Sequence, residues 1–448
     1  MAPGRLSAAV LIAGAAACAA IAFQIGTIGI ASWRDWTIIY VALPAGFGLA
    51  LLAGLLLRPN ARAAFAITAC AMFAAILLAD VYLAITQQQI VPQARATGDT
   101  RSVRDVVRDL RGEGRQAYPV LSGRTLLSAQ PGGGLHSRIS LDGRETLPLG
   151  GIAAALTVYC NEGGTYLVYT SDEHGFHNPT GIWTRPQLDV AAVGDSFTHG
   201  ACVPSNENMV ARVREKFPAT LNLGMAGNGP LSELAAIKEY LPQRRPRVVL
   251  WFYYEGNDVS KDLFIEREAQ ILVAYLGQDS AQGLEARQPA IDDALRAEVE
   301  AAYDAAPAET AAPAPQPIRV KDVLLLRHLR DALGMAVGNA DIPLFRRVMG
   351  EANRTVSGWG GQLYFVYLPG QARYLGLGGQ VAQSGLRTRV LATVHDLGIP
   401  VIDIDAAFTA SPAPQRLFQG HFTPEGYRIA ADAILARLTA DHIGPEAP

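Results

Sequence analysis

Four short blocks of the chain carry residues able to do chemistry on a carbonyl group. They are Gly194-Asp195-Ser196-Phe197-Thr198, the run Asn222-Leu223-Gly224-Met225-Ala226-Gly227-Asn228, Glu255-Gly256-Asn257-Asp258, and the segment HFTPEGY that begins at His421. A serine hydroxyl is a poor nucleophile near neutral pH until an imidazole within hydrogen-bond reach can take its proton. Ser196 and His421 are that pair if the fold joins them. Gly227 lets backbone approach a substrate closely, and the Asn257 side chain offers a fixed amide donor of the kind that stabilises an oxyanion. Each block alone is ambiguous, since a serine after a strand is also an ordinary helix N-cap and Asn257-Asp258 an ordinary turn. The set of four is the signal.

The elements that would position these blocks follow from the pattern beyond Leu188. Strand-like and helix-like segments alternate: LDVAAVGDS, ENMVARVREKF, TLNLGMAG, PLSELAAIKEYL and RVVLWFYYEGND. Such alternation predicts a parallel sheet with helices on both faces, and continuous apolar runs such as VVLWFYY and LYFVYL fit strands buried on both sides. A helical insert spans roughly 260–358 and is broken by APAETAAPAPQP near 306–317, which reads as a mobile linker or surface loop. The alternation resumes with GQLYFVYLP, a helix to about Thr393, GIPVIDI, and a last amphipathic helix from about Thr423 to Thr439. Five parallel strands in the order 2-1-3-4-5 result. Functional groups in such sheets gather at the carboxyl ends of the strands, where all four blocks fall.

In these blocks the sequence resembles the SGNH (GDSL-type) hydrolase superfamily, over roughly Leu188 to the C-terminus. The resemblance implies an α/β, three-layer, flavodoxin-like SGNH domain. It implies Ser196 as nucleophile and His421 as general base, with an oxyanion hole formed at Ser196, Gly227 (backbone N–H) and Asn257 (side-chain amide). The family usually places an Asp two or three residues before the histidine, where this chain has Phe418 and Gln419. Either a backbone carbonyl or another carboxylate, Asp403 or Asp405 at the end of the fifth strand, then orients His421, or the site is a Ser-His dyad, or activity is reduced. His199, three residues after Ser196, reads as a residue of the helix surface.

The remaining 187 residues before Leu188 divide in two. Residues 1–90 contain three apolar runs, 7–31, 37–57 and 63–86, each of a length to cross a bilayer; the third is interrupted only by Asp80, expected near the far interface. Arg5, Arg34, Arg58 and Arg62 in the short loops favour a cytoplasmic N-terminus and place everything after Gln87 outside the cytoplasm, although Arg95, Arg101 and Arg104 weigh the other way. A cleaved first run would leave two spans and the same placement. Residues 91–187 read as a connector helix at 99–117, with Val103, Val106, Val107 and Leu110 on one stripe, followed by a small β-rich lead-in. Part of this lead-in, CNEGGTYLVYTSDEHGFHNP, looks like the segment preceding the GDS block in a group of bacterial membrane-anchored SGNH proteins. Residues 188–448 form the hydrolase-like domain.

Composition closes off other classes. Lys and Arg number 38 against 41 for Asp and Glu, giving a net charge of -3 without a basic stretch, which excludes a nucleic-acid surface. No nucleotide motif is present and no cofactor is expected. His174 and His177 lack the companions of a zinc site and read as loop histidines. Cys160 and Cys202 are the two cysteines outside the apolar runs; in an oxidising compartment they are expected to pair, with two buried thiols as the other reading. The expected activity is that of a serine acyl-ester hydrolase working through an acyl-Ser196 intermediate at the outer face of a bacterial cell membrane, on an acylated carbohydrate or lipid-linked substrate. An O-acyltransferase of exported polysaccharide shares that intermediate and would need a multi-span acyl-donor partner. A non-catalytic, membrane-anchored module binding glycan or a partner is the reading the missing Asp favours.

Overall fold

A computed structural model of the chain describes residues 3–27, 41–88, 98–130, 132–185, 187–277, 280–305, 319, 322–323, 326–329, 340–375 and 377–445. It divides into two compact units, Met1–Gln89 with Pro315–Asn339, and Ile90–Ala314 with Ala340–Pro448. The first unit holds helices α1 (Pro3–Thr27), α2 (Leu43–Ala53) and α3 (Pro59–Gln88). Among the described residues one stretch, Pro59–Ile85, is long and apolar enough to cross a membrane, while Arg5–Ala20 and Pro44–Leu56 are shorter. Of the three expected spans, therefore, one is met by length and composition; residues 28–31 and 37–40 of the other two lie outside the described residues. Asp80 lies within α3. It is buried, accepts a hydrogen bond from the Leu329 N–H at 2.7 Å and lies 3.0 Å from His328 Nδ1 within the same unit.

In the second unit, the connector is helix α4 (Val103–Gly112), started by a capping box in which Ser102 Oγ accepts from the Asp105 N–H at 3.1 Å and the Asp105 carboxylate accepts from the Ser102 N–H at 3.3 Å. Its stripe buries Val106 and Val107 against Ala117 and Val158. The lead-in forms a three-stranded sheet of β1 (Ala117–Pro119), β2 (Leu156–Val158) and β3 (Val168–Thr170), with β2 central. The loop from β2 to β3 carries Cys160, Asn161 and Glu162. Asn161 fixes this loop: its amide donates to the Asp99 carbonyl at 2.8 Å and its side-chain oxygen accepts from the Gly164 N–H at 2.7 Å.

The main sheet has five parallel strands, β4 (Val190–Val193), β5 (Thr220–Asn222), β6 (Val248–Tyr254), β7 (Gln362–Leu368) and β8 (Val401–Asp403), in the order β8-β7-β6-β4-β5. Counted from β4, this is the 2-1-3-4-5 order of a flavodoxin-like doubly wound sheet. The alternation of side chains along β6 builds both faces at once. Val249, Trp251 and Tyr253 enter one core with helices α7 (Pro230–Tyr240) and α9 (Ile342–Gly358); Val248, Leu250 and Phe252 enter the other with α6 (Met209–Lys216) and α11 (Pro424–Ala440). A helix at Ser196–His199 is α5, Gln288–Ala305 in the insert is α8, and Leu377–Asp396 is α10. The Pro-rich stretch 306–317 lies outside the described residues.

Candidate active site

Strand β4 delivers the first block into a turn from which α5 starts. Asp195 caps that helix, its carboxylate accepting from the Phe197 N–H at 2.9 Å, so Ser196 becomes the first helical residue. Asp195 is buried, and burial pushes its carboxyl above the ordinary carboxylate range against the opposing pull of the Phe197 N–H. The fourth block lies just before α11, which Thr423 caps through its hydroxyl to the Gly426 N–H at 3.2 Å. This brings His421 Nε2 to 2.8 Å from Ser196 Oγ, and the Phe197 ring packs 4.8 Å from the imidazole.

The carboxylate behind His421 comes from outside the sheet. Glu162 accepts from His421 Nδ1 at 2.9 Å with one oxygen and from the His421 backbone N–H at 2.7 Å with the other. This grip puts the proton on Nδ1 and leaves the Nε2 lone pair toward Ser196. Gly420 makes room for it, with φ at +111° and with a position where an added Cβ would lie 2.5 Å from Glu162 Oε1. Two residues before Glu162, Cys160 is joined to Cys202, with Cα atoms 5.1 Å apart, so the lead-in loop is fastened to the segment just past α5. Cys202 Sγ lies 4.0 Å from His421 Nδ1. Being in a disulfide, it is no thiolate ligand, and Glu162 and His421 are spent on each other.

Asp403 and Asp405 do not fill this place, which corrects the sequence reading. Asp403 caps the helix Ile404–Thr409, accepting from the Asp405 N–H at 3.1 Å, and pairs with Arg387. Asp405 accepts from the Tyr374 hydroxyl at 2.6 Å and lies 3.8 Å from Arg373. Asp403 ends β8, an edge strand, and Asp405 follows it, whereas Ser196 follows β4, with β7 and β6 between them. The residues that replace the usual Asp have other duties. Phe418 packs with Phe408, Phe422 and Tyr374, while Gln419 donates its backbone N–H to the His421 carbonyl at 2.7 Å and its amide to the Cys202 carbonyl at 3.3 Å.

Gly227 and Asn257 lie in the turns after β5 and β6, the two strands that flank β4. The first turn is tied down by Asn222, which donates to the Thr198 carbonyl and accepts from the Gly224 N–H, both at 2.8 Å. Gly227 has φ of +77°, in the left-handed region that glycine tolerates. The Asn257 amide lies 3.5 Å from Asp195 Oδ2, beside the nucleophile's own turn.

His199 is not on a helix surface. It is fully buried, and burial holds its imidazole well below the usual histidine range. His177 is buried too, pushed down to about 4 by desolvation; its ring nitrogens bond to the His199 carbonyl and to Ser205 Oγ, each at 2.9 Å. Glu162 carried no motif, yet one signal could have found it. A bridge from Cys160 to Cys202, six residues past Ser196, must bring the residue two places after Cys160 close to the nucleophile.

No protein-family model matches the sequence, and no curated protein sequence matches it. Among solved structures the chain is similar to a lipase/acylhydrolase from Enterococcus faecalis at 15% identity, covering 58% of this chain and 100% of that one with a TM-score of 0.34. It is similar to a member of the lipolytic protein G-D-S-L family from Veillonella parvula at 13% identity, covering 56% and 98%, with a TM-score of 0.32. An acetyl-xylooligosaccharide esterase from Geobacillus is 15% identical over 55% of this chain and 92% of that one, with a TM-score of 0.31.

Proposed function

We propose that the chain is a serine acyl-ester hydrolase of the SGNH type, acting through an acyl-Ser196 intermediate. The observation that carries this reading is the unbroken hydrogen-bonded line from Glu162 through His421 to Ser196. His421 Nε2 takes the Ser196 proton as Oγ attacks an ester carbonyl. Glu162, bonded to Nδ1–H, holds the ring in the tautomer that can accept and stabilises the imidazolium that forms. The oxyanion would be met by N–H groups at Ser196 and Gly227 and by the Asn257 amide, where losing one donor typically costs ~10²- to 10³-fold. His421 then returns the proton to the leaving alcohol, and water resolves the acyl-enzyme by the same route in reverse. A carboxylate behind the histidine removes the argument for a non-catalytic binding module, which rested on its absence.

The substrate proposed is an acylated glycan or lipid-linked ester outside the cytoplasm. In support, Pro59–Ile85 could anchor the chain at a membrane, and a disulfide beside the site suits an oxidising compartment. Reporter fusions after Gln87 test the placement. High activity of a cytoplasmic-type reporter alone would reverse it.

The reading is tested by hydrolysis of p-nitrophenyl acetate and by a fluorophosphonate probe. Ser196→Ala and His421→Ala should each lower kcat by about 10⁴-fold or more, and the double variant should be scarcely worse, as for residues that act as one unit. Additive losses, or probe labelling that ignores His421, would sink the proposal.

A further inference from the structure

Two turns must hold fixed positions for the proposed reaction: the one that presents Ser196 and the one that presents the Gly227 N–H. The side chain between them is His199. It sits on α5, three residues after the nucleophile, and its Nδ1 accepts from the Ala226 N–H at 3.3 Å, one residue before Gly227. That leaves the proton on Nε2, which donates to the Tyr169 hydroxyl at 2.6 Å. The ring stacks on Tyr159 with centroids 4.4 Å apart and meets Tyr169 edge-on at 5.7 Å. Tyr159 directly precedes Cys160 on the loop that bears Glu162, and Tyr169 lies in β3 on the far side of that loop. One imidazole therefore touches the nucleophile's helix, the glycine turn and the segment that supplies the acid.

Burial makes the arrangement a fixed one. A ring with no solvent access keeps the neutral form, and its two nitrogens are then committed to one acceptor and one donor. Neither nitrogen is free to reach a substrate, so general acid-base work is excluded.

Resting on the esterase reading above, we infer that His199 is a positioning residue: as the neutral Nε2–H tautomer it locks the Ala226–Gly227 backbone relative to Ser196, so that the Gly227 N–H meets the oxyanion. Its effect belongs in kcat and leaves the binding of ground-state ester alone, because the hole is used only as charge develops on oxygen.

The test uses the purified full chain with p-nitrophenyl acetate. His199→Phe keeps the stacking on Tyr159 and removes the acceptor; kcat should fall by about 10- to 100-fold, a fraction of the loss of a whole oxyanion donor, with KM within about twofold. His199→Asn places an amide oxygen near the Nδ1 position and should recover kcat to within about fivefold of the parent, although it loses the Tyr169 bond as His199→Phe does. A merely structural role would give equal losses in the two variants, and that result, like a His199→Phe enzyme with full kcat, would overturn the inference. Imidazole ¹⁵N NMR on the unsubstituted protein decides the tautomer even if neither variant folds: His199 should show a bare Nδ1 and a protonated Nε2, and the reverse would refute it. An unsubstituted chain no more active than Ser196→Ala would remove the esterase reading and this inference together, whereas an active chain with the wrong tautomer removes only the inference.

Discussion

The five-stranded sheet and the small lead-in that precedes it contribute to one site in opposite ways. The sheet presents Ser196, Gly227, Asn257 and His421 as consequences of its topology, each at the end of a strand or the start of a helix. The lead-in has strands of only two or three residues and no periodic pattern of its own, yet it supplies Glu162 and the tyrosines that pack on His199. Residues placed by topology keep their spacing in the sequence, and residues placed by a cross-link do not. In the proposed triad the carboxylate has thus left its usual position before the histidine, and a covalent tether holds the substitute.

That contrast can be broken at three points. The largest effect is expected at Gly420, where the two regions touch. In Gly420→Ala the new Cβ would meet Glu162 Oε1 at 2.5 Å in a backbone of φ +111°, so the carboxylate must retreat from His421. Turnover of a p-nitrophenyl ester should fall by about 10²-fold, short of the ~10⁴-fold that follows loss of the triad's acid. Full activity would show that the grip of Glu162 on the histidine is dispensable.

Next comes the tether itself. Cys160 and Cys202 are separated by 42 residues, so opening the bridge with Cys160→Ser and Cys202→Ser together should cost about 3 to 4 kcal/mol by loop-closure entropy. Beyond that loss, kcat should drop by about tenfold at a temperature where the variant is still folded, because Glu162 then samples positions away from His421. A destabilised variant with unchanged kcat would reduce the bridge to a staple.

The smallest effect concerns the sheet side alone. Glu233 on α7 is fully buried, and burial, aided by Asp195, Glu266 and Asp262, pushes its carboxyl well above the ordinary range. As pH rises past the usual carboxylate value, the unfolded chain ionises first, the folded state holds the extra proton, and stability falls. Glu233→Gln should therefore raise Tm at about pH 8, with the gain shrinking toward about pH 4 as both states become protonated. A gain independent of pH would show that folding leaves the carboxyl unshifted, and a loss at pH 8 would show that it is held ionised.

What was legible in the sequence follows the same division. Apolar runs such as VVLWFYY in β6 can be buried on both faces only in a parallel sheet covered by helices, and Ser196 and His421 take their places from that sheet. Glu162 was not legible as a catalytic group, because a lone Glu in a Gly-rich loop has no period and no partner nearby in sequence. Asp403 and Asp405 looked suitable through their place at a strand end, but β8 is the edge strand and Arg387, Arg373 and Tyr374 already engage them. His199 was misjudged because a helix of four residues has no exposed face to speak of when Tyr159, Tyr169 and His177 close over it.

The most direct test of whether the lead-in completes the site is the rate of Ser196 labelling by a fluorophosphonate in Glu162→Gln set beside Asp405→Asn, with Ser196→Ala as the blank. The structure predicts that Glu162→Gln slows labelling by about 10²- to 10⁴-fold, since the amide cannot hold the imidazole in the accepting tautomer or stabilise its charge, and that Asp405→Asn labels within about twofold of the unsubstituted chain. Rapid labelling of Glu162→Gln together with slow labelling of folded Asp405→Asn would contradict the assignment and return the acid to the sheet.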